Sequence, residues 1–529
     1  MKLRAKLLRV IDEPGLFLLL IAACYVVAYL IHPAAPGNNS AHPEGWWGWF
    51  DQGNYLKAAH AFANFDFTPA QHFYPPLYPL LGGLFLGISK THAFWLIDLV
   101  CLLWFAWTFI FFARRYIPQR LAVMLFLITI VLNPTLFENF VIPWTTTLSL
   151  ALLSVGIHSL GRFADSNTGA RPGASELACC SLAIGLIAVV RPVDALVGGS
   201  LWLGVMGYAW RSCSIEGRQF WRRSLLALMA LSVGMLLFLS FNQRVFGSPL
   251  GGYVQASSVN GYFLADAAEK FTSLFLDGYT LYLEPKSGML DHYPWLALAL
   301  PALIFVLIRG DWALRVVGAA VVLQFVLYLP YGDLLPNGLW RFLNIHYFKW
   351  TFPYLALFAC YAVLGIVHSF KVDRVRAVAW SIFFAVAALL LASLRVAVTR
   401  QPLAIHLGGD NISAIELDID AGGHGIDFDL VDLAGLSGGF TSIYFGEHSL
   451  KLDGRELARI KEYRVLPAPW GVRILFVRPV HGQSLIFRPD QKLTLGQTIL
   501  SASSGSYHFI IGQPKPFWSE ANAIPTPEP

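Results

Sequence analysis

The sequence predicts a polytopic helical membrane protein, mainly α, with a small exported all-β domain at its C-terminal end. Three observations carry that prediction. The chain has 529 residues, 56% of them hydrophobic and only 13% charged, whereas soluble globular chains carry about a quarter charged residues. Eleven apolar runs, each close to the length that spans a bilayer as helix, recur up to residue 394. From about residue 395 the texture changes to short β-branched and aromatic segments parted by Gly, Pro and Asp, the pattern of strands and turns.

The runs lie near 16–31, 93–112, 121–137, 141–161, 177–190, 195–210, 224–241, 294–308, 313–330, 351–367 and 375–394. The first follows the basic "MKLRAKLLRV", which has the start of a signal peptide but no small-residue cleavage site after it, so an uncleaved helix is expected. The pair 177–190 and 195–210 is short and joined only by "RPVD". Charge then orients the chain. Lys and Arg total 18 over the loops 1–10, 113–120, 162–176, 211–223, 309–315 and 368–376. They total 8 over 32–92, 138–140, 191–194, 242–293 and 331–350, although this second set is more than twice as long. Positive loops stay in the cytoplasm. The expectation is a multi-pass protein of the plasma (bacterial inner) membrane, N-terminus inside, with long loops and tail outside.

The first outer loop, 32–92, is long for a connector. "WWGWFDQGNYLKAAHAFANFDF" has helical spacing and sets Trp46, Trp49 and Phe50 on one face, the usual interfacial anchor, so a helix lying in the interface is expected. "HFYPPLYPLLGGLF" predicts a second, proline-led interfacial helix. A carboxylate between two such helices, Asp51, is partly desolvated, which raises its proton affinity and suits general-base work on an alcohol. The competing reading makes Asp51 a simple helix cap.

Elsewhere the spans are nearly free of acids, Asp98 excepted, which argues against an ion-coupled carrier. Asp66, Glu138, Arg191, Asp194, Arg244, Lys286, Arg341, His346 and Lys349 all fall in outer loops. For Arg244, Arg341 and Lys349 the competing reading is snorkelling toward headgroups. The six cysteines show neither a disulfide framework nor metal-ligand spacing.

In order along the chain come "DQGNYLKAA", "YPPLYPLL", "RPVDAL" (191–196), "FNQRVFGSPLGGY" (241–253), "LEPKSGMLDHYP" (283–294) and "NGLWRFLNIHYFKWTFPYLAL" (337–357). This series resembles the membrane glycosyltransferases of the GT-C superfamily, which include protein O-mannosyltransferases and lipid A aminoarabinose transferases. The resemblance runs over roughly residues 10 to 395. It implies transfer of a sugar from a polyprenyl-phosphate carrier to a lipid, glycan or protein acceptor at the outer face, with membrane lipids around and no nucleic acid involved. Asp51 matches the family's first-loop acid and would be the general base, with inversion at the anomeric carbon. Lys286 and Arg341 lead the donors to the leaving phosphate, with His346 and Arg191 behind them, while Tyr55, His72, Tyr74 and Glu138 would line the substrates.

One departure bears on cofactors. Where many members carry a second acid, this chain reads "NPTLFENFVIPWTTTLSL", with threonines and only Glu138. An acid pair bridged by metal is therefore not expected, and no obligatory divalent ion is. An O-antigen polymerase or ligase is the rival enzyme, and a flippase or carrier of lipid-linked sugar the non-enzymatic rival. The division expected is 1–394, membrane catalytic, and 395–529, a β-rich domain of a size sufficient for one core, ending in the Pro-rich "IPTPEP".

Overall fold

The structure, a computed structural model, describes residues 13–40, 42–164, 173–212, 217–254, 288–331 and 344–394, isolated positions between 262 and 334, and most strand residues between 403 and 517. These fall into two compact units. One holds the described residues of 1–258, 294–331 and 343–391, the other those of 259–293, 332–342 and 392–529.

The first unit is helical. Its main helices are α1 (Pro14–Ile31), α2 (Phe50–Ala63), α3 (Leu77–Phe85), α4 (Trp95–Ala113), α5 (Gln119–Phe126), α6 (Pro134–Val141), α7 (Thr145–Ala164), α8 (Ala174–Ile187), α9 (Asp194–Ser212), α10 (Gly217–Phe246), α11 (Leu296–Arg309), α12 (Trp312–Tyr328), α13 (Thr351–Val372) and α14 (Arg374–Leu394). Every apolar run of the sequence forms helix, and α2 and α3 occupy the first loop. Among the described residues, α4, α7, the Trp221–Phe246 part of α10 and α13 are long and apolar enough to cross a membrane, and the pair α5–α6 makes a fifth if counted as one span.

That pair corrects the sequence reading of a single straight span over 121–137. After α5 the chain enters a π-helical turn, Leu127–Val131, and then bends by 77° into α6. Pro134 has no N–H to continue the ladder. Asn133 restarts it as a cap, its side chain accepting from the Leu136 N–H at 3.1 Å. Pro143 ends α6 in turn, so the next helix begins at Thr145, not at 141.

Helix ends sort by loop set. Arg115 donates to the Gly161 and Ala164 carbonyls at 3.2 and 2.5 Å. Tyr116 donates to Asp311 at 2.9 Å, and the Arg211 guanidinium lies 4.3 Å over the Trp312 ring. Those are all basic loops meeting one another. The other loops meet at the opposite ends of the helices: Gln52 donates to the Pro143 carbonyl at 3.0 Å, and the Leu77 N–H to Val189 at 3.0 Å. Between the ends, α8 and α10 approach so closely that a Cβ on Gly185 or Gly234 would collide with the other helix's backbone. Small residues allow such backbone contact in membrane helices.

The strands of the second unit form two antiparallel sheets. One runs Leu403–Ile412, Leu493–Ser504, Ile426–Ala434, Gly471–Gly482, Tyr463–Ala468, and the other Pro514–Phe517, Ala414–Asp418, Ser484–Pro489, His448–Leu452, Arg455–Glu456. Leu450 and Leu452, Leu485 and Phe487, and Ile474 and Phe476 are buried in alternation, the period-two pattern of a sheet with one packed face. Leu452 and Arg455 pair across a two-residue loop in which Asp453 and Gly454 both have positive φ, 48° and 79°. This is the type I′ hairpin that Asp-Gly favours. The segment "TSIYF" (441–445) lies outside the described residues.

Candidate functional site: a polar layer at the first-loop end

Asp51 sits in the first turn of α2. The cap position falls instead on Trp49, whose side chain makes no cap bond, so capping does not account for the acid. Trp46 is not lipid-facing as the spacing predicts. It is fully buried, its ring 5.4 Å from both Tyr29 and His32, while Trp49 and Phe50 stay exposed.

The Tyr74 hydroxyl donates to Asp51 Oδ1. Burial, and then the Asp51 charge, hold the Tyr74 phenol well above the ordinary tyrosine range, so it remains a donor. One helical turn beyond Asp51, the Tyr55 ring lies 4.6 Å from Tyr74, and its hydroxyl is 3.5 Å from Thr145 Oγ1.

Thr145 opens the run Thr145-Thr146-Thr147 at the start of α7. Each hydroxyl takes a different partner. Arg191 donates to Thr145 at 3.2 Å, Thr146 bonds His346 Nδ1 at 3.2 Å, and Lys349 Nζ lies 2.6 Å from Thr147 Oγ1. The threonine row thus joins the first loop to the 191–194 turn and to the segment before α13.

Arg191 and Asp194 form a buried ion pair, Nε to Oδ2, of 3.2 Å. Arg191 also donates to the Tyr328 hydroxyl at 3.0 Å, which in turn donates a hydrogen bond to Asp194 Oδ1 at 2.6 Å, while Ser149 donates to Oδ2 at 2.6 Å. A buried pair is favourable only when further hydrogen bonds offset its desolvation, and here Thr145, Ser149 and Tyr328 supply four of them, while Arg191 Nε makes none beyond the ion pair. His346 stacks on Trp144 at 3.9 Å and 12°. Burial, with Arg191 and Lys349 adding to it, holds its imidazole well below the usual histidine range and therefore neutral.

Lys349 does not snorkel. It is fully buried, donates to the Asn139 carbonyl at 2.7 Å, and rests 4.6 Å over the Phe140 ring. Burial drives its ammonium down to about 7. Asp98 is equally buried at the start of α4, both oxygens held by Tyr78 at 2.9 and 3.1 Å.

Two sequence-predicted residues turn elsewhere. Glu138 on α6 takes a hydrogen bond of 2.9 Å from His32 Nε2. The Ala34 N–H reaches Nδ1 at 3.1 Å and so fixes that tautomer. His72 donates to the Asp66 carbonyl at 2.7 Å and is boxed by Phe62, Phe67 and Phe241. Lys286 and Arg341 lie outside the described residues. The sequence reading assigned no role to Thr145–Thr147, Asp194 or Tyr328; the signal available was a row of hydroxyls opening a helix beside a turn that carries an arginine.

No protein-family model matches the sequence. No curated protein matches it either. Among solved structures, the chain is similar to the crystal structure of ArnT from Cupriavidus metallidurans bound to undecaprenyl phosphate. Identity is 13%, the match covers 71% of this chain and 69% of that one, and the TM-score is 0.39. The chemistry is therefore read from the side chains. They supply a half-buried carboxylate oriented by a phenol, a wall of hydroxyls, and cationic groups set behind that wall. Among the described residues no group of three His, Cys, Asp or Glu side chains is placed to hold a metal ion.

Proposed function

We propose that the protein is a membrane glycosyltransferase that moves a sugar from a polyprenyl-phosphate carrier to a hydroxyl of a lipid, glycan or protein acceptor at the outer face. The observation that carries this reading is Asp51, held by Tyr74 in the first loop next to the row of polar side chains that joins the first-loop ends of the helices. The family resemblance of the motifs in that loop and in the later loops supports it.

The acceptor O–H gives its proton to Asp51 as its oxygen bonds to the anomeric carbon. The bond from that carbon to the phosphate oxygen breaks, and polyprenyl phosphate leaves with the electron pair. Direct displacement inverts the anomeric centre. Lys286 and Arg341 are the proposed donors to the leaving phosphate, where developing charge is best stabilised by fixed cations. Arg191 adds its field from behind Thr145, and His346, held neutral, offers a hydrogen-bonding edge. Glu138 is engaged by His32, so the proposal uses no bridging acid pair and expects chelation of divalent ions to leave transfer unchanged.

The test compares envelope glycans of a deletion strain, its parent, and strains complemented with wild type or Asp51→Asn. One sugar substituent should vanish on deletion and return with wild type. With Asp51→Asn, transfer should run about 10²- to 10⁴-fold slower, the usual contribution of a general base. Parental transfer by a normally inserted Asp51→Asn protein would remove the base from Asp51 and direct the search to Glu138 or Asp66.

A further inference from the structure

We infer that Tyr74 is the positioning residue of Asp51: its phenol holds Oδ1 and so sets the plane in which the carboxylate meets the acceptor hydroxyl. The inference rests on the general-base reading of Asp51 given above.

Two pieces of chain, each with its own fixed points and packed on each other through Tyr55, make the contact. The α2 side is tied down by Gln52, buried and donating to the Pro143 carbonyl at 3.0 Å. Tyr55, one turn on, is fully buried beside Thr145. The Tyr74 side is held by packing. Its ring lies 4.6 Å from Tyr55, 4.9 Å from Phe73 and 5.4 Å from Tyr253. Pro75 and Pro76 follow it directly, fixing φ on the way into α3.

A carboxylate in the first turn of a helix has several staggered rotamers open to it. A donor that cannot itself swing selects one of them before substrate arrives, and such preorganisation is where much of the advantage of a bound reactant lies. The same bond stabilises the anion, because a hydrogen bond to the charged form favours that form. Among the described residues, the Asp51 charge acts on Tyr55 of its own helix and on Tyr74 from the segment before α3, and the charges of Arg191 and Tyr253 act on that tyrosine pair. Of these, Tyr74 donates to Asp51 directly.

The experiment uses the full chain in lipid nanodiscs. The probe is the total lipid and glycan extract of the deletion strain grown on ¹⁴C-glucose, which retains both unused substrates. Label leaving the polyprenyl-lipid fraction is followed from pH 4.5 to 8.5. Tyr74→Phe keeps the ring and its packing and deletes only the hydroxyl. We expect its plateau rate to fall about tenfold with unchanged KM. The acid limb of its pH profile should move up by roughly one to two pH units, since a donor to the carboxylate is gone.

Placing 3,5-difluorotyrosine at position 74 restores a donor, a stronger one, and should move the limb below the parental position. A limb that coincides with the parental one in both proteins overturns the inference and leaves Tyr74 as packing. Asp51→Asn separates the two readings. Parental transfer by Asp51→Asn sinks the base itself, whereas loss with Asp51→Asn together with unmoved limbs at position 74 sinks only the positioning role.

Discussion

At the scale of single residues, the site is governed by what burial costs a charge and what repays it. Arg191 and Asp194 are both buried and repay it through each other and through hydrogen bonds with Thr145, Ser149 and Tyr328. Removing one partner strands the other. Arg191→Met should therefore cost about 3–5 kcal/mol, visible as a loss of melting temperature in detergent far larger than for an exposed arginine such as Arg376→Met. Equal losses in the two would mean the pair is open to water.

Lys349 makes a prediction of opposite character. Its folded pKa is about 7 against an ordinary value of 10.5, so between those values the unfolded chain binds the extra proton. Stability must then rise with pH across that window, because the unfolded state binds more protons there. The contribution is weakest below about 7, where the buried amine is charged in the folded protein. Melting temperatures measured from pH 6.5 to 10 should climb in the parent and climb less in Lys349→Met. Parallel curves would mean that Lys349 is solvated. Asp66, another acid of the first loop, is a poor rival to Asp51: Thr68 hydrogen bonds hold its carboxyl below the usual range, which makes it a weaker base.

At the scale of elements, two devices shape the helical unit. One is the break at Asn133-Pro134, which turns α6 away from α5 and lays Glu138 against His32 and the Asn139 carbonyl against Lys349. The other is the glycine contact between α8 and α10. A side chain at Gly234 would have to displace the Gly185 carbonyl, which is backbone and cannot rotate away. Gly234→Leu should separate the helices at a cost of about 1–3 kcal/mol or more, lowering both thermal stability and the yield of inserted protein. Gly199→Leu is the control, since its position meets nothing within 4 Å. Equal yields from both would show that α8 and α10 do not close on each other in the membrane.

At the scale of the whole molecule, the proposal depends on topology. The loops that carry excess Lys and Arg meet at one end of the helices, and the polar layer gathers at the other. The positive-inside rule predicts that the positive end is cytoplasmic, and the proposal accordingly puts Asp51 outside. Alkaline phosphatase fused after residue 400 should be active and a cytoplasmic reporter there silent, with the reverse after residue 170. Activity of only the cytoplasmic reporter after residue 400 would invert the orientation and end the case for outer-face chemistry.

Composition, apolar run length and turn chemistry sufficed for the helices, for the C-terminal strands and for the two helices of the first loop, because these follow from local periodicity and from the transfer of apolar side chains out of water. Asp51, Tyr55 and Tyr74 were also legible, lying within one loop where spacing along the chain predicts nearness. Other features were not. The bend at Pro134 depends on whether a proline kinks a helix or ends it, which its neighbours settle. The threonines of α7 read as a missing acid, although each meets a residue at least 46 positions away. For Lys349 the sequence left headgroup snorkelling open as the competing reading, yet it is a buried amine beside Phe140. Helical period records which face of one helix is apolar but not which other helix covers it. The partners of Thr145, Asp194 and Lys349, and with them the electrostatics of the layer, were therefore decided only when distant helix ends packed together.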